Sequence, residues 1–347
     1  MSISQSTRRI LNDSTLLACN VNWFQRLQNV FDSKSDPFND KHVIGIFGTA
    51  GYSPVQNQIH VNPEKWVHDN LESLAEKAQN ITNENKFDPL CIEVDIYGVH
   101  FTDSIFGCEV FFQDDQWYNR YLPSEIGKLK RPDLEKCEAW HTAKRIAKEF
   151  VKQDVKLPLF GLPTIASALI AAVNLYGDEI LTSLLADPDA ARHDLEIIND
   201  TLCEIHEWFR KTIPANQLQC VLAFERTQPP GYGQICGCTT QLISGDMYND
   251  IFAPLDEKLL GVYPCGGMIH LCGAHEQLIP TLRNMKSLKS VQINDRASLD
   301  IEKYYQGLRP DQIIYFMPCE EMTVEQAIEI TGGNRLVIQK PLNIYSK

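Results

Sequence analysis

The stretch GGMIHLCGAHEQLIPTLRNMKSLKSVQIND, residues 266–295, sets the pattern of the fold because it contains a strand, a helix and a second strand in succession. A short apolar strand from Met268 to Leu271 precedes a helical segment from His275 to Lys286. The strand Val291 to Ile293 follows that helix. Two strands joined by a helix predict a parallel βαβ unit.

The same alternation extends along most of the chain and predicts an α/β fold. The eight strand candidates, mostly separated by helical segments, are Val43–Phe47, Leu90–Ile96, Leu157–Phe160, Gln219–Phe224, Met268–Leu271, Val291–Ile293, Ile313–Met317 and Leu336–Ile338. We therefore predict a (β/α)8 TIM barrel over residues 41–347, preceded by an N-terminal helical extension over residues 1–40. An open doubly wound sheet is the main alternative, but the glycine fingerprint GxGxxG does not follow the first strand.

Polar residues followed by proline mark several helix starts. Asn62 and Asp187 each stand before a proline and are predicted N-caps, and Thr323 caps a helix near the C-terminus. The uncharged stretch 157–177 is interrupted near its start by Pro158, Gly161 and Pro163. We interpret it as a buried strand, a loop and a buried helix beginning near Pro163, rather than as a membrane span.

The charge balance and the cysteine content limit the class of protein. Lys and Arg total 32 against 45 Asp and Glu, which gives a net charge of −13. A general nucleic-acid binder needs clustered basic charge, so we expect no nucleic-acid partner. The 11 cysteines are an odd number, and the start MSISQSTRRILNDS has no apolar signal region. We therefore expect a cytoplasmic, reducing location, with thiols that are free or bound to metal.

His270 and Cys272 form the sharpest chemical motif. Residues two apart on a strand point to the same face, and an imidazole with a thiolate is a typical donor pair for zinc. Cys319 directly follows the strand Ile313–Met317, the second strand after the one that carries His270. Alternate strands of a barrel supply one interior layer, so these three residues are the predicted metal ligands. Asp295, or less favourably Asn294, could complete the site.

Other polar and sulfur-containing residues are weaker candidates. Glu93 and Asp95 are predicted to share one face of the second strand as catalytic groups. Cys236-Gly237-Cys238 is a rival thiol pair, for which we expect packing in a glycine-rich loop. The run 229–237 is rich in proline and glycine and could form a mobile flap. Cys265 precedes its strand and is expected at the opposite end of the barrel.

Several separated segments carry a family resemblance. They are IEVDIYGVHFTDSIFGCEVFF (92–112), FGLPTIASALIAAVNLYGDEILTSLLADPDA (160–190), LISGDMYNDIFAPLDEKLL (242–260) and GGMIHLCGAHEQLIPTL (266–282). In order and spacing they resemble the uroporphyrinogen decarboxylase superfamily, which also contains the zinc-dependent corrinoid methyltransferases. The resemblance implies a (β/α)8 barrel, as the strand alternation does independently.

The decarboxylase branch of this superfamily fits the sequence poorly. Its arginine-rich segment corresponds here to GIFGTAGYSPVQ (45–56), which contains no Arg or Lys, and its active-site tyrosine corresponds to Ala168. The C-terminal segment LVIQKPLNIYSK (336–347) lacks the histidine of the decarboxylases. Of the decarboxylase residues compared, only the catalytic aspartate has a counterpart here, Asp95. An acidic chain without those cations is poorly suited to a tetrapyrrole with four carboxylates.

The methyltransferase branch fits better, because His270, Cys272 and Cys319 match its zinc motif. The resemblance implies transfer of a methyl group between a corrinoid (cobalamin) on a partner protein and a small thiol or folate acceptor. Asp95 and Glu93 would orient the substrate or handle protons. The alternatives are a divergent decarboxylase of a tetrapyrrole carboxylate that uses Asp95, and a non-catalytic barrel that binds a corrinoid or its carrier protein.

Overall fold

The computed structural model describes residues 2–32, 37–39, 44–47, 58–81, 87–114, 116–221 and 226–339, which form parallel sheets and helices. The described α-helices are Gln5–Leu11, Ser14–Phe31, Gln58–Val61, Pro63–Ile81, Phe101–Ile105, Glu138–Lys152, Ala168–Tyr176, Glu179–Ala186, Pro188–Thr212, Gly245–Met247, Ala253–Leu260, Ile279–Asn284, Arg296–Leu299, Ile301–Gly307 and Val324–Thr331. The predicted α/β class is confirmed.

The chain divides into two compact units. The first comprises Met1–Cys19 and Ile44–Val221, and the second comprises Asn20–Val43 and Leu222–Lys347. The predicted boundary near residue 40 stays a prediction. In the described ranges, no single helix is both long and apolar enough to cross a membrane. Ala168–Tyr176 and Glu179–Ala186 pass that test only as a pair, bent by 111°.

The first unit contains a four-stranded parallel sheet. Its strands are β1 (Ile44–Phe47), β2 (Leu90–Glu93), β5 (Leu159–Gly161) and β6 (Leu218–Gln219), paired in the order β1-β2-β5-β6. An antiparallel hairpin of β3 (Val110–Gln113) and β4 (Gln116–Asn119) lies in the same unit. The sequence did not predict this hairpin. Of the predicted fourth strand, residues 222–224 lie outside the described residues.

The predicted helix caps of this unit are confirmed at two positions. The side chain of Asn62 accepts a hydrogen bond from the backbone N–H of Lys65, and that of Asp187 accepts one from Ala190. The helix predicted to begin near Pro163 begins later, at Ala168, because the backbone at Ser167 is still extended. A proline favours the first helical turn, but it does not force one.

The second unit contains a five-stranded parallel sheet. Its strands are β7 (Gly233–Cys236), β8 (Gly267–Leu271), β9 (Leu288–Ile293), β10 (Ile313–Phe316) and β11 (Leu336–Ile338), in the order β11-β10-β9-β8-β7. Nearly every side chain in these strands is buried, as expected for a parallel sheet covered on both faces. The predicted cap Thr323 is confirmed, with a reciprocal bond to Gln326.

The prediction of a mobile flap over residues 229–237 is wrong for Gly233–Cys236, which form strand β7. Gly233–Cys236 pairs in parallel register with β8, from Gly233 opposite Gly267 to Cys236 opposite His270. A Cβ on Gly233 would lie 2.3 Å from the Tyr263 ring. Gly233 therefore allows close packing against an aromatic ring and does not mark a flexible loop.

Candidate metal centre

Strand register places three polar side chains in one row across the second sheet. Cys236 on β7 lies opposite His270 on β8, and His270 lies opposite Gln292 on β9. Residues in register on neighbouring parallel strands present their side chains on the same face. His270 and Gln292 are buried, and Cys236 is partly exposed. An imidazole is thereby flanked by a thiol on one side and an amide on the other.

A tight Cys-Gly-Cys turn adds the second thiol. The Gly237 N–H donates to the His270 carbonyl at 2.8 Å, and Cys238 begins the following short 3-10 helix, Cys238–Leu242. A Cβ on Gly237 would lie 2.8 Å from the Ile269 side chain and 2.9 Å from that of Leu271. Glycine therefore allows the turn to lie directly against β8, which brings Cys238 toward the row.

Cys236, Cys238 and His270 form a compact donor cluster. The two sulfurs are 3.4 Å apart, and both sulfurs and a ring nitrogen of His270 lie within 4.8 Å of one another. Within the part of the chain that the structure describes, this is the group of three His, Cys, Asp or Glu side chains that meets this distance. Two thiols and one imidazole are a common zinc donor set, so the cluster could bind a metal ion.

The hydrogen bonds of His270 fix its ring in the form that a metal needs. Gln292 Nε2 donates to Gln339 Oε1 at 2.8 Å, which turns the Gln292 carbonyl oxygen toward His270 Nδ1. Nδ1 therefore carries the proton and donates a hydrogen bond to the Gln292 side-chain oxygen, so Nε2 keeps its lone pair. Burial, with the nearby Arg226 guanidinium, lowers the pKa of His270 to about 3. The imidazole is neutral at pH 7, as a metal ligand must be.

Three neighbouring thiols have pKa values that are shifted in different directions by their mutual hydrogen bonds. Cys238 hydrogen-bonds to both Cys236 and Cys272, and these bonds raise the pKa of Cys238. The same bonds lower the pKa of Cys272 and lower that of Cys236 to about 7, and Arg226 acts in the same direction on both. The central thiol thus keeps its proton while its neighbours ionise more readily. Thiolates of this kind are both metal ligands and nucleophiles.

His275 holds the loops around the cluster and is not one of its donors. Gly273 N–H donates to His275 Nε2 at 3.1 Å, so His275 Nδ1 carries the proton and faces the Thr240 hydroxyl at 3.1 Å. Thr240 in turn donates to the Gly237 carbonyl at 2.6 Å. Burial lowers the pKa of His275 to about 4. The residue therefore joins the loop after β8 to the Cys-Gly-Cys turn.

Of the predicted ligands, the structure brings His270 and Cys272 to this region. Cys319 follows β10, two strands from β8 in the sheet as predicted, and its backbone pairs with Met322. Among the described residues, no cluster of three donors within 4.8 Å includes Cys319. The ligand set His270, Cys272 and Cys319 therefore stays a prediction. The sequence assigned Cys236 and Cys238 to packing, and only their spacing of two residues hinted otherwise.

Asp295 and Asn294 lie at the end of β9, as predicted. The pKa of Cys272 is lowered chiefly by its hydrogen bond with Cys238, and the Asp295 carboxylate partly opposes this lowering, so the two groups are neighbours. Asp295 has a positive φ of 49°, an unusual backbone conformation for a residue other than glycine. Asn294 is buried, and its side-chain oxygen has no hydrogen-bond partner among the residues that the structure describes.

Glu93 and Asp95 belong to the first unit. Glu93 is the buried last residue of β2, and Asp95 lies two residues beyond it. Asp95 accepts a hydrogen bond from the Gly98 N–H at 2.8 Å, and burial raises its pKa to about 6. Beside it, the Tyr97 ring contacts Trp117 with ring centres 4.9 Å apart. Asp95 can therefore exchange a proton near neutral pH.

Comparisons with known proteins show similarity of fold. No protein family profile matches the chain. No curated protein matches it either. A methyltransferase from Methanosarcina mazei superposes with a TM-score of 0.59 at 12% identity over 90% of each chain. A B12-independent methionine synthase from Shewanella sp. W3-18-1 superposes with a TM-score of 0.38 at 12% identity over 78% of this chain and 69% of that one. The first comparison shows that this chain shares its fold with a methyltransferase.

Proposed function

We propose that the chain is a zinc-dependent methyltransferase of the uroporphyrinogen decarboxylase-like superfamily, folded as a (β/α)8 barrel. A shared fold does not by itself imply a shared reaction. The observation that carries the proposal is therefore the donor cluster, in which Cys236, Cys238 and a ring nitrogen of His270 lie within 4.8 Å of one another. The cluster lies at the ends of parallel strands, where active sites of barrel enzymes form.

The residues present fit a zinc ion by their chemistry. His270 offers a neutral Nε2, and Cys236 ionises readily because its hydrogen bond with Cys238 and the Arg226 charge lower its pKa to about 7. Binding of the ion would displace the proton of Cys238. His270 is common to this cluster and to the predicted set with Cys272 and Cys319. When bound, zinc would lower the pKa of an acceptor thiol and hold it as a thiolate.

The substrates of the proposed reaction are a methyl donor on a corrinoid and a small acceptor. The corrinoid would be carried by a partner protein in the cytoplasm, and the acceptor would be a thiol or a folate. Gln292 orients His270, and Arg226 offsets the negative charge of the thiolates. Asp95 has a pKa of about 6, which suits a group that takes up or releases a proton at neutral pH. With Glu93 it would orient the substrate.

The test is methyl transfer by the purified, zinc-loaded chain. Free methylcobalamin is the donor, and thiols and tetrahydrofolate are the acceptors. Loss of the methylcobalamin absorption spectrum is followed with time. We expect transfer to at least one acceptor, and His270→Ala should abolish it. Cys265→Ser is the matched control, since Cys265 precedes β8 and bonds through its backbone to Gly231. Equal rates for His270→Ala and the unaltered chain would refute the proposal.

A further inference from the structure

The structure points to a different pair of thiol ligands from the pair that the family motif assigns. We propose that Cys236, Cys238 and His270 hold the metal ion, with the two thiols of the Cys-Gly-Cys turn taking the places assigned to Cys272 and Cys319. This inference rests on the proposed function in one respect: the ion bound here is taken to be the zinc ion used in the reaction. It concerns binding, so it can be tested without methyl transfer.

Distance is the first argument. The Cys236 and Cys238 sulfurs are 3.4 Å apart, and both lie within 4.8 Å of a His270 ring nitrogen. Zinc holds sulfur at about 2.3 Å and nitrogen at about 2.0–2.1 Å, so two of its ligand atoms are separated by about 3–4 Å. Small side-chain rotations would bring the three atoms to that spacing. Within the described ranges, Cys319 belongs to no group of three donors at this separation.

The rigidity of the turn is the second argument. Cys236 is held by the β7–β8 register, and Gly237 donates to the His270 carbonyl. Thr240 donates to the Gly237 carbonyl through both its backbone N–H, at 3.0 Å, and its hydroxyl, at 2.6 Å. His275 faces that hydroxyl from the loop after β8. Both thiols are thus positioned by bonds to the strand that carries the imidazole, as a preorganised site requires.

The orientation of His270 is an independent observation that points to a ligand. The chain of side-chain hydrogen bonds from Gln339 through Gln292 to His270 Nδ1 is fully buried. Histidines that bind metal ordinarily donate their second ring N–H to a fixed acceptor, which sets the tautomer. Gln292 lies in register with His270, on the side away from Cys236. The sheet therefore supplies a sulfur ligand on one side of the imidazole and its orienting acceptor on the other.

Cys272 lies next to this set, in contact with Cys238. Its thiol hydrogen-bonds to Cys238, and the Asp295 carboxylate is its neighbour. Three ligands from the turn and β8 leave a fourth position for water or an acceptor, as catalytic zinc sites do. Cys272 and Asp295 would then line the approach to that position.

Metal binding to the full chain tests the ligand set. Cobalt(II) is added to the metal-free protein, and the thiolate-to-cobalt charge-transfer absorption is measured. Zinc affinity is measured by competition with a chromophoric chelator. We expect Cys236→Ser and Cys238→Ser each to reduce the charge-transfer absorption and to weaken zinc binding by at least about 100-fold, since a lost ligand costs more than the 10–100-fold typical of its orienting partners. Cys319→Ser and the control Cys265→Ser should stay within about twofold of the unaltered chain.

Circular dichroism and thermal unfolding of the metal-free variants exclude global misfolding as the cause. The conservative variant Cys236→Asp, which keeps an anionic ligand, should recover part of the zinc affinity that Cys236→Ser loses. The inference is overturned if Cys319→Ser loses metal while Cys236→Ser and Cys238→Ser keep it, or if the unaltered chain binds no metal. If the chain binds metal through the turn but transfers no methyl group, the ligand set stands and the proposed reaction fails.

Discussion

Replacing Gly237 with alanine should damage both stability and metal binding, because the turn lies against β8 with no room for a side chain. The new Cβ would lie 2.8 Å from Ile269 Cδ1 and 2.9 Å from Leu271 Cδ2, closer than real Cβ contacts. Both neighbours are fully buried, so they cannot swing into solvent. The φ angle of Gly237 is −114°, which alanine readily adopts, so the expected loss of stability comes from crowding.

Overpacking of this kind costs about 1–3 kcal/mol. We expect urea unfolding at constant m-value to show a loss of that size. Because the crowding pushes the turn away from β8, Cys238 should move away from His270, and zinc affinity should fall in parallel.

A double-mutant cycle separates crowding from other effects. Ile269→Val removes the Cδ1 atom at 2.8 Å and by itself costs about 0.5–1.5 kcal/mol. In the Gly237→Ala background, Ile269→Val relieves the crowding. We therefore expect the double variant to lose less unfolding free energy than the sum of the two single losses, by more than about 0.5 kcal/mol. Strict additivity, or a Gly237→Ala variant of unchanged stability and zinc affinity, would refute the reasoning.

Three further perturbations test separate parts of the structure. Burial raises the pKa of Asp256 to about 7, so the folded state keeps a proton that the unfolded chain loses near 3.8. This contribution to stability is complete below pH 3.8 and is lost as the pH rises to about 7. In the unaltered chain the free energy of unfolding, measured with urea, should therefore fall by up to about 1.4 kcal/mol per pH unit over that window. Asp256→Asn should remove this fall, and an unchanged slope in the variant would contradict the prediction. Asp95→Asn should abolish the fall in methyl-transfer rate expected below about pH 6, when the carboxylate is protonated; a profile that keeps this fall would exclude Asp95 as its cause. Gln292→Leu should weaken zinc binding about 10–100-fold through His270, while Gln326→Leu, at the exposed cap of Val324–Thr331, should leave it unchanged.

The local pattern of the sequence predicts the strands that are apolar throughout and the helices that have caps. Strand β11 lies at its predicted residues, and β8 and β10 differ by a single residue at one end. These features depend on neighbours within a few residues, as do the caps at Asn62 and Asp187. The position of His270 and Cys272 at the end of a strand follows from the same local pattern.

Strand β7 was missed because its sequence contains glycine and follows a proline-rich run. Gly233 looks like a turn residue, yet its missing side chain makes room for the Tyr263 ring, which lies 30 residues along the chain. No periodicity within β7 reports that contact. The same strand was expected to be a mobile flap, and its pairing with β8 is what places Cys236 beside His270.

The sequence by itself determined the α/β class and the strands β8 and β10, and it singled out His270 as a candidate ligand. Only the tertiary structure decided which thiols lie next to that imidazole. Local propensity acts over a few residues, whereas Cys236 and His270 meet through the register of two strands whose connection contains the helix Ala253–Leu260. That register is set by packing, through Gly233 on Tyr263 and Gly237 on β8. The sequence motif names His270 with Cys272 and Cys319, while the packed sheet brings the sulfurs of Cys236 and Cys238 within 4.8 Å of each other and of a His270 ring nitrogen.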